Sequence, residues 1–183
     1  MLFRSVPFIE YANYSDERMC EWVDGAVAEL PLLSEAQVRV RDMLLSGLGS
    51  HIEGNEMGLL IAAPFAVRMP EEMGCAREPD LLYVPNQFAD TVQSNYVNSH
   101  GVALVIEITD GRTRQQDYDR KFADYQMAGI PEYWIIDVER KHADFYQLRQ
   151  LLYEHTPTGT TAYVSPVLLG YSLSLNSLFE RGV

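Results

Sequence analysis

Apolar and polar residues follow two different periods along this chain, and the change of period predicts the order of its elements. Residues 34–52 (SEAQVRVRDMLLSGLGSHI) carry apolar side chains at nearly helical spacing, and Ser34 and Gln37 have the spacing of a capping box. A second helix is predicted over 114–128, where spaced apolar residues interrupt a polar segment that ends at Gly129. The apolar stripe predicted for the first helix consists of Val38, Leu44, Leu45, Leu48 and Ile52.

Shorter apolar runs predict the strands of a mixed sheet. Residues 102–109 (VALVIEIT) are almost continuously apolar, which is typical of a central strand covered on both faces. Residues 80–85 (DLLYVP) and 132–138 (EYWIIDV) are predicted as two further central strands, and residues 142–149 and 150–156 as edge strands. Strands are also predicted at 59–69 and 160–166, and a short helix at 175–180.

The N-terminal part of the chain predicts a β-hairpin. In residues 20–31 (CEWVDGAVAELP), Asp24 and Gly25 form the usual sequence of a two-residue turn between short β-compatible runs. The full order of elements predicts an α/β fold with a mixed sheet and helices on its faces. Because no internal repeat or long linker divides the 183 residues, we expect one domain spanning 1–183.

The charge balance complicates any assignment to nucleic acid. The formal net charge is −12, from 26 acidic and 14 basic residues, whereas nucleic-acid-binding proteins usually present a basic face. Either the acids cluster around a metal site, where divalent cations offset them, or the protein does not bind nucleic acid. Charge alone favours the second interpretation.

Composition also bears on the compartment and on the cysteines. The chain has no run of about eighteen apolar residues, so no membrane span is predicted. The first seventeen residues lack a continuous apolar signal-peptide core, so we expect a cytoplasmic protein. Cys20 and Cys75 are too few for a disulfide framework or a zinc cage, and we expect two reduced, partly buried thiols.

Two acidic residues stand out because of the strands in which they lie. Asp80 begins one predicted central strand, and Glu107 lies within the most apolar strand of the chain. A buried carboxylate is costly unless it meets a cation or a hydrogen-bond donor. Glu107 shares one face of its strand with Val105 and Thr109. An ion pair with Arg77, or a solvated strand end, would explain Glu107 equally well.

The helix after Glu107 adds a lysine to these acids. Asp117, Lys121 and Tyr125 follow one another at intervals of four residues and therefore line one helix face. We expect Phe122 and Met127 to face the sheet, Tyr125 to lie at the boundary, and Lys121 to be an exposed side chain at the edge of the helix, near the end of the central strand. An ordinary surface pair between Asp117 and Lys121 is the alternative.

Two carboxylates and one lysine are a set of groups suited to metal-assisted phosphate chemistry. Carboxylates hold Mg²⁺ through hard oxygen ligands. The ion activates a bound water and neutralises charge on a scissile phosphate. A lysine beside it can orient or deprotonate the attacking water, or stabilise the pentavalent phosphate.

The ordered motifs EPDLLYVP, LVIEIT, D-x-x-x-K-x-x-x-Y and AGIPEYWIID resemble the Uma-type family of endonucleases, in the PD-(D/E)XK superfamily. EWVDGAVAELP resembles the N-terminal hairpin of that family and GYSLSLNSLF its C-terminal ending, so the resemblance covers about 20–179. It implies a restriction-endonuclease-like fold, in which helices flank a mixed β-sheet that is preceded by an N-terminal β-hairpin.

The resemblance also implies roles for individual residues. Asp80 and Glu107 become the ligands of Mg²⁺ or Mn²⁺, and Lys121 the third catalytic residue. Thr109 stands where the superfamily usually has its lysine, which in this family has moved to the next helix. The turn after Glu107 departs from the Ser-Pro-Ser-Thr turn common in the family, and the acid it adds, Asp110, is either a further ligand or a local feature.

Further residues are candidates for supporting roles. Asp117, Tyr125 and Thr109 belong to the same helix face and strand as the three principal residues. Related nucleases often place an N-terminal acid near the metal, which makes Glu21 a secondary candidate, although a surface acid of the hairpin is at least as plausible. Gln37 could also face the site, but its capping role already explains it.

The resemblance implies a Mg²⁺-dependent DNA endonuclease. A homodimer is attractive because cutting both strands of a duplex needs two sites. The alternative is a catalytically inactive or regulatory member of the fold that acts in protein association. The acidic charge favours the alternative, and the complete set of Asp80, Glu107 and Lys121 favours the enzyme.

Overall fold

The computed structural model describes residues 5–13, 19–157 and 162–179. The predicted C-terminal strand and helix included Thr160, Thr161 and Glu180, which lie outside the described residues.

The described residues form the following helices and strands. The helices are α1 (Phe8–Ala12), α2 (Glu35–Gly54), α3 (Arg114–Gln116), α4 (Phe122–Met127) and α5 (Leu175–Phe179), with a π-helical turn over Asp117–Lys121 that joins α3 to α4. We call this continuous segment the α3–α4 helix. The strands are β1 (Cys20–Val23), β2 (Ala26–Glu29), β3 (Gly58–Ala62), β4 (Ala66–Arg68), β5 (Cys75–Arg77), β6 (Leu81–Pro85), β7 (Tyr96–Asn98), β8 (Leu104–Thr109), β9 (Glu132–Asp137), β10 (His142–Arg149), β11 (Leu152–His155), β12 (Ala162–Val164) and β13 (Ser172–Ser174).

The largest sheet has six strands in the order β11-β10-β9-β8-β6-β3. β8 and β9 run parallel, and every other neighbouring pair in this sheet is antiparallel. The predicted mixed sheet with β6, β8 and β9 at its centre is therefore confirmed. A second sheet of five strands, β2-β1-β5-β4-β7, contains the predicted N-terminal hairpin as β1 and β2.

Two strand predictions were wrong in detail. β10 was expected at an edge, but it pairs with both β9 and β11. Its inward residue Phe145 is fully buried, and the alternating pattern reflects one covered face rather than an edge position. The run 59–69 is split into β3 and β4, which belong to different sheets, and the break contains Pro64, which cannot donate to a strand ladder.

The two faces of the six-stranded sheet carry separate apolar clusters. On one face, α2 packs its buried residues against alternate residues of β8, including Leu104, Ile106 and Ile108. On the other face, the α3–α4 helix packs against the intervening residues, which include Val105. Within α2, Val40 is buried instead of the expected Val38. The residue alternation predicted for β8 is confirmed, and it places Glu107 on the same face as the α3–α4 helix.

Two residues of the α3–α4 helix are not placed as the sequence predicted. Tyr125 was expected at the boundary and is fully buried, whereas Met127 was expected to face the sheet and is 64% exposed. Met127 follows Tyr125 by two residues, which is about 200° around a helix, so the two side chains lie on opposite faces. The burial of Tyr125 therefore turns Met127 away from the sheet.

Cys20 and Cys75 are buried and are not joined in a disulfide. Over the described ranges, no helix combines the length and apolar character needed to cross a membrane.

Candidate active site

Asp80 and Glu107 lie across from each other at one end of the β6–β8 pair. These strands are antiparallel, with Leu81 opposite Ile106, and the same register continued by one residue places Asp80 opposite Glu107. Directly opposed residues have β-carbons about 5 Å apart. Both side chains are buried and line one narrow pocket, which we call the acidic pocket. Its polar lining consists of Gln37, Glu78, Asp80, Glu107, Thr113, Gln116, Asp117 and Lys121.

Asp80 is held by the backbone of β8. Its Oδ2 atom accepts a hydrogen bond of 2.6 Å from the Ile108 N–H. Burial raises the pKa of Asp80 to about 6, although the Ile108 N–H and the Lys121 ammonium both oppose the rise. At neutral pH most of this carboxyl is therefore ionised and can bind a cation that enters the pocket.

Glu107 has one partner on each of its carboxylate oxygens. Oε1 accepts a hydrogen bond of 2.7 Å from the Tyr125 hydroxyl, and Oε2 lies 3.0 Å from Lys121 Nζ. Burial raises the pKa of Glu107 well above its usual value, while Lys121 opposes this shift. The pairing with Arg77 that the sequence left open is not formed, because Arg77 pairs with Glu21 and Asp124 instead.

Lys121 is buried among three carboxylates, although the sequence predicted an exposed lysine at the edge of the helix. Its Nζ atom lies 3.0 Å from Glu107, 3.2 Å from Glu21 and 3.4 Å from Asp117, and the residue is only 4% exposed. Burial alone would lower the pKa of Lys121, but the surrounding carboxylates raise it well above its usual value. Lys121 therefore stays a cation at neutral pH.

Glu21, which the sequence left open as either a site residue or a surface acid of the hairpin, is one of the carboxylates around Lys121. It is 1% exposed, and its Oε2 atom accepts hydrogen bonds from Arg77 Nη1 at 2.7 Å and from Gln116 Nε2 at 2.9 Å. Arg77 also binds Asp124 through two further N–H groups, at 2.8 and 2.6 Å. The buried guanidinium thus ties the N-terminal hairpin to the α3–α4 helix.

Asp117 contacts the lysine, and Thr109 lies beside Asp117. Both are buried, and the Thr109 hydroxyl is 2.8 Å from that of Thr113. Burial raises the pKa of Asp117, while Lys121 and the two threonine hydroxyls lower it. Thr109, at the position where the superfamily has a lysine, therefore lies beside an acid that contacts Lys121.

Asp110 and Gln37 stabilise the end of β8. Asp110 is bonded by the Arg112 backbone and guanidinium and does not line the acidic pocket. Hydrogen bonds from Arg112 hold the pKa of Asp110 below its usual value. Gln37 completes the capping box with Ser34, and its Nε2 atom also donates to the Ile108 carbonyl at 2.6 Å. Gln37 therefore has both roles that the sequence suggested for it.

Glu78 lines the acidic pocket and was missed by the sequence interpretation. It accepts hydrogen bonds from the Tyr11 hydroxyl and from the Cys20 N–H, each 3.1 Å long. Burial raises the pKa of Glu78 to about 7. The signal was present, since residues two apart in an extended chain point the same way, and Glu78 precedes Asp80 by two.

The carboxylate oxygens of the acidic pocket are suitable ligands for a small, hard cation. The cavity of the pocket has a volume of about 20 Å³, which is room for one water or one small ion. Within the described ranges, no three His, Cys, Asp or Glu side chains are grouped as a metal site. Mg²⁺ nevertheless needs only one or two carboxylates, because water and substrate phosphate supply the remaining ligands. Asp80 and Glu107 meet that requirement.

Comparison with known proteins identifies a family and a shared fold. A model of the Uma2 family, described as "Putative restriction endonuclease", matches residues 8–176. One similar crystal structure is described as "a putative nuclease belonging to DUF820 from Anabaena variabilis". The similarity has a TM-score of 0.74 and covers 90% of this chain and 91% of that chain, at 15% sequence identity. Such a likeness shows a shared fold. No curated protein matches the chain.

Proposed function

The chain belongs to the Uma2 family, as its ordered motifs indicated, and we propose that it is a metal-dependent endonuclease that hydrolyses phosphodiester bonds in DNA. The convergence of Asp80, Glu107 and Lys121 in the acidic pocket carries this proposal. Asp80 directly precedes β6, Glu107 lies in β8, and Lys121 lies in the α3–α4 helix. Each has a group suited to phosphate hydrolysis.

Asp80 and Glu107 would hold one Mg²⁺ or Mn²⁺. The bound ion lowers the pKa of a coordinated water and neutralises charge that builds up on the phosphate. The protein holds both ligands in place: the Ile108 N–H bonds to Asp80, and the Tyr125 hydroxyl bonds to Glu107. Tyr125 therefore supports the site by orienting a ligand.

Lys121 would act as a fixed positive charge beside the reacting phosphate. Because the carboxylates raise its pKa well above the usual value, it is a poor base at neutral pH. Its ammonium can donate hydrogen bonds to the attacking water or to a phosphate oxygen, and it can stabilise the charge of the pentavalent phosphate.

The distribution of acidic residues reduces the conflict between the net charge and a nucleic-acid substrate. Five buried carboxyl groups are concentrated in and beside the acidic pocket, together with the buried cations Arg77 and Lys121. The five are Glu21, Glu78, Asp80, Glu107 and Asp117. These acids favour the first of the two interpretations of the charge, in which divalent cations offset a local cluster.

Purified protein tests the proposal on supercoiled plasmid and on single-stranded DNA, at low salt with Mg²⁺ or Mn²⁺. We expect nicked and linear products from wild type, none from Asp80→Asn or Glu107→Gln, and normal cleavage from Asp119→Asn, in which an exposed acid of the same helix is neutralised. If wild type cuts neither substrate, the endonuclease assignment fails and the association role becomes the better hypothesis.

We also propose a single-domain chain that acts as a homodimer in the cytoplasm. Two copies would supply the two sites needed to cut both strands of a duplex. Sedimentation or light scattering with and without DNA measures the oligomeric state, and a monomer that cuts only one strand would contradict the dimer.

A further inference from the structure

Two carboxylate oxygens beside Lys121 are buried without any hydrogen-bond partner among the described residues. They are Glu21 Oε1 and Asp117 Oδ1. Each lies close to Lys121 Nζ, at 3.2 and 3.4 Å, and belongs to a different element, β1 in one case and the π-helical turn in the other. A buried carboxylate oxygen without a hydrogen-bond donor is costly. The charge of the nearby Lys121 ammonium compensates that cost for both oxygens.

The third carboxylate around Lys121 is Glu107, which the proposed function assigns to the metal. When a cation engages Glu107, the lysine loses its nearest counter-ion, at 3.0 Å. The lysine also meets the repulsion of a divalent charge in a region of low dielectric constant. Unless other anions retain the ammonium, it would be driven out of the acidic pocket.

We propose that Glu21 and Asp117 form an anionic cradle that retains the Lys121 ammonium beside the metal when Glu107 is engaged. On this proposal, which rests on the proposed function, Glu21 and Asp117 are positioning residues for Lys121 and not ligands of the metal.

The remaining contacts of Glu21 and Asp117 support the cradle. Arg77 and Gln116 bind Glu21 Oε2, so that only Oε1 is left to face the lysine. Arg77, 2.7 Å from Glu21, and Lys121 already place two positive charges at this carboxylate, which disfavours a metal ion there. Thr109 and Thr113 place their hydroxyls against Asp117 in a similar way.

The chain offers an internal reference for measuring where the lysine is. It contains two lysines, Lys121 and Lys141, and Lys141 is exposed. Acylation of amines with acetic anhydride, followed by peptide mass spectrometry, reports the accessibility of Lys121 relative to Lys141. The measurement is made without metal and with saturating Mn²⁺.

We expect Mn²⁺ to change the relative acylation of Lys121 less than twofold in wild type and in the control Asp119→Asn. In Glu21→Gln and in Asp117→Asn, Mn²⁺ should raise it at least fivefold, because one side of the cradle is missing. Gln116→Ala, which removes only one hydrogen bond to Glu21, should give an intermediate rise. This milder variant decides the matter if the other two do not fold.

Calorimetric titration with Mn²⁺ separates the cradle from a metal-ligand role. Glu21→Gln and Asp117→Asn should bind Mn²⁺ within threefold of the wild-type Kd, whereas Glu107→Gln should weaken binding at least tenfold. Weakening of Mn²⁺ binding by Glu21→Gln or Asp117→Asn to the level of Glu107→Gln would make them ligands and overturn the cradle.

The failures of the two proposals are distinguishable. If wild type binds Mn²⁺ but Lys121 then reacts as fast as Lys141, the cradle is wrong and the endonuclease proposal stands. If wild type binds no Mn²⁺ at all, the metal-dependent function is wrong and the cradle fails with it.

Discussion

The Lys121 ammonium lies 3.0 Å from Glu107 Oε2, although one residue is on a helix and the other is in the centre of the largest sheet. Neither is more than 4% exposed. An ion pair this deeply buried is costly to break, because the remaining charge is left without a partner. The lysine therefore contributes to the stability of the fold as well as to the proposed chemistry.

Replacing the lysine should lower stability. Lys121→Met removes the cation shared by Glu107, Glu21 and Asp117, and we expect a loss of about 3–5 kcal/mol in the free energy of unfolding at pH 7. Denaturant unfolding in the presence of a chelator measures this loss. The control is Lys141→Met, which removes an exposed lysine and should change stability by less than about 0.5 kcal/mol. Equal midpoints for the two variants would contradict the buried position of Lys121.

Metal should stabilise the folded protein through Asp80. A cation that binds only the folded state adds about 2.7 kcal/mol to its stability at a hundred times its Kd. Thermal unfolding at pH 7.5 should therefore shift upward with millimolar Mn²⁺ for wild type and for Asp119→Asn. Asp80→Asn should show no shift. A metal-induced shift that is the same in Asp80→Asn would place the cation elsewhere.

Stability without metal should depend on pH through the two acids at the start of β6. Burial raises the pKa of Glu78 from 4.5 to about 7 and that of Asp80 from 3.8 to about 6. Between these limits the folded protein holds protons that the unfolded chain has released, so stability falls as pH rises from about 4 to about 7.

Urea unfolding in a chelator, at pH values from 4 to 8, measures this slope. Glu78→Gln and Asp80→Asn should each flatten the decline within the range of the removed group. If both variants keep the wild-type slope, the two acids are not the source of the pH dependence.

Removal of the Tyr125 hydroxyl should affect Glu107 without disturbing the packing of the ring. Tyr125→Phe keeps the contact with the Tyr133 ring, whose centroid is 5.1 Å away, but it leaves Glu107 Oε1 without its donor. We expect a stability loss of about 1–3 kcal/mol and a fall of about tenfold in the single-turnover rate constant of cleavage, the effect of roughly 1.4 kcal/mol.

Tyr118→Phe is the matched control, because Tyr118 is on the same helix and its hydroxyl bonds to Asp144, which does not line the acidic pocket. Cleavage of a labelled duplex, quenched at timed intervals under single-turnover conditions, compares the cleavage rates of the two variants. Similar rates for both would show that the hydroxyl of Tyr125 does not support catalysis.

Local pattern was sufficient to identify the elements that carry the principal residues. The apolar run around Glu107 predicted a central strand, and the spacing of Asp117, Lys121 and Tyr125 predicted a shared helix face. Both inferences depend on residues that are close in the chain, where strand alternation and helical period relate sequence directly to direction. The capping box of Ser34 and Gln37 was predictable for the same reason.

The burial and the partners of Lys121 depended on the tertiary structure. Glu21 is a hundred residues before Lys121 in the chain, and only the pairing of β1 with β5 and the packing of the α3–α4 helix bring the two together. The packing of the α3–α4 helix against β1 and β8 placed the lysine in the buried pocket and not at the expected exposed edge. The sequence by itself thus determined which residues are available and which helices and strands carry them, because secondary structure follows largely from neighbours in the chain. The tertiary structure decided which charges meet, because the energy of a buried charge depends on every group packed around it.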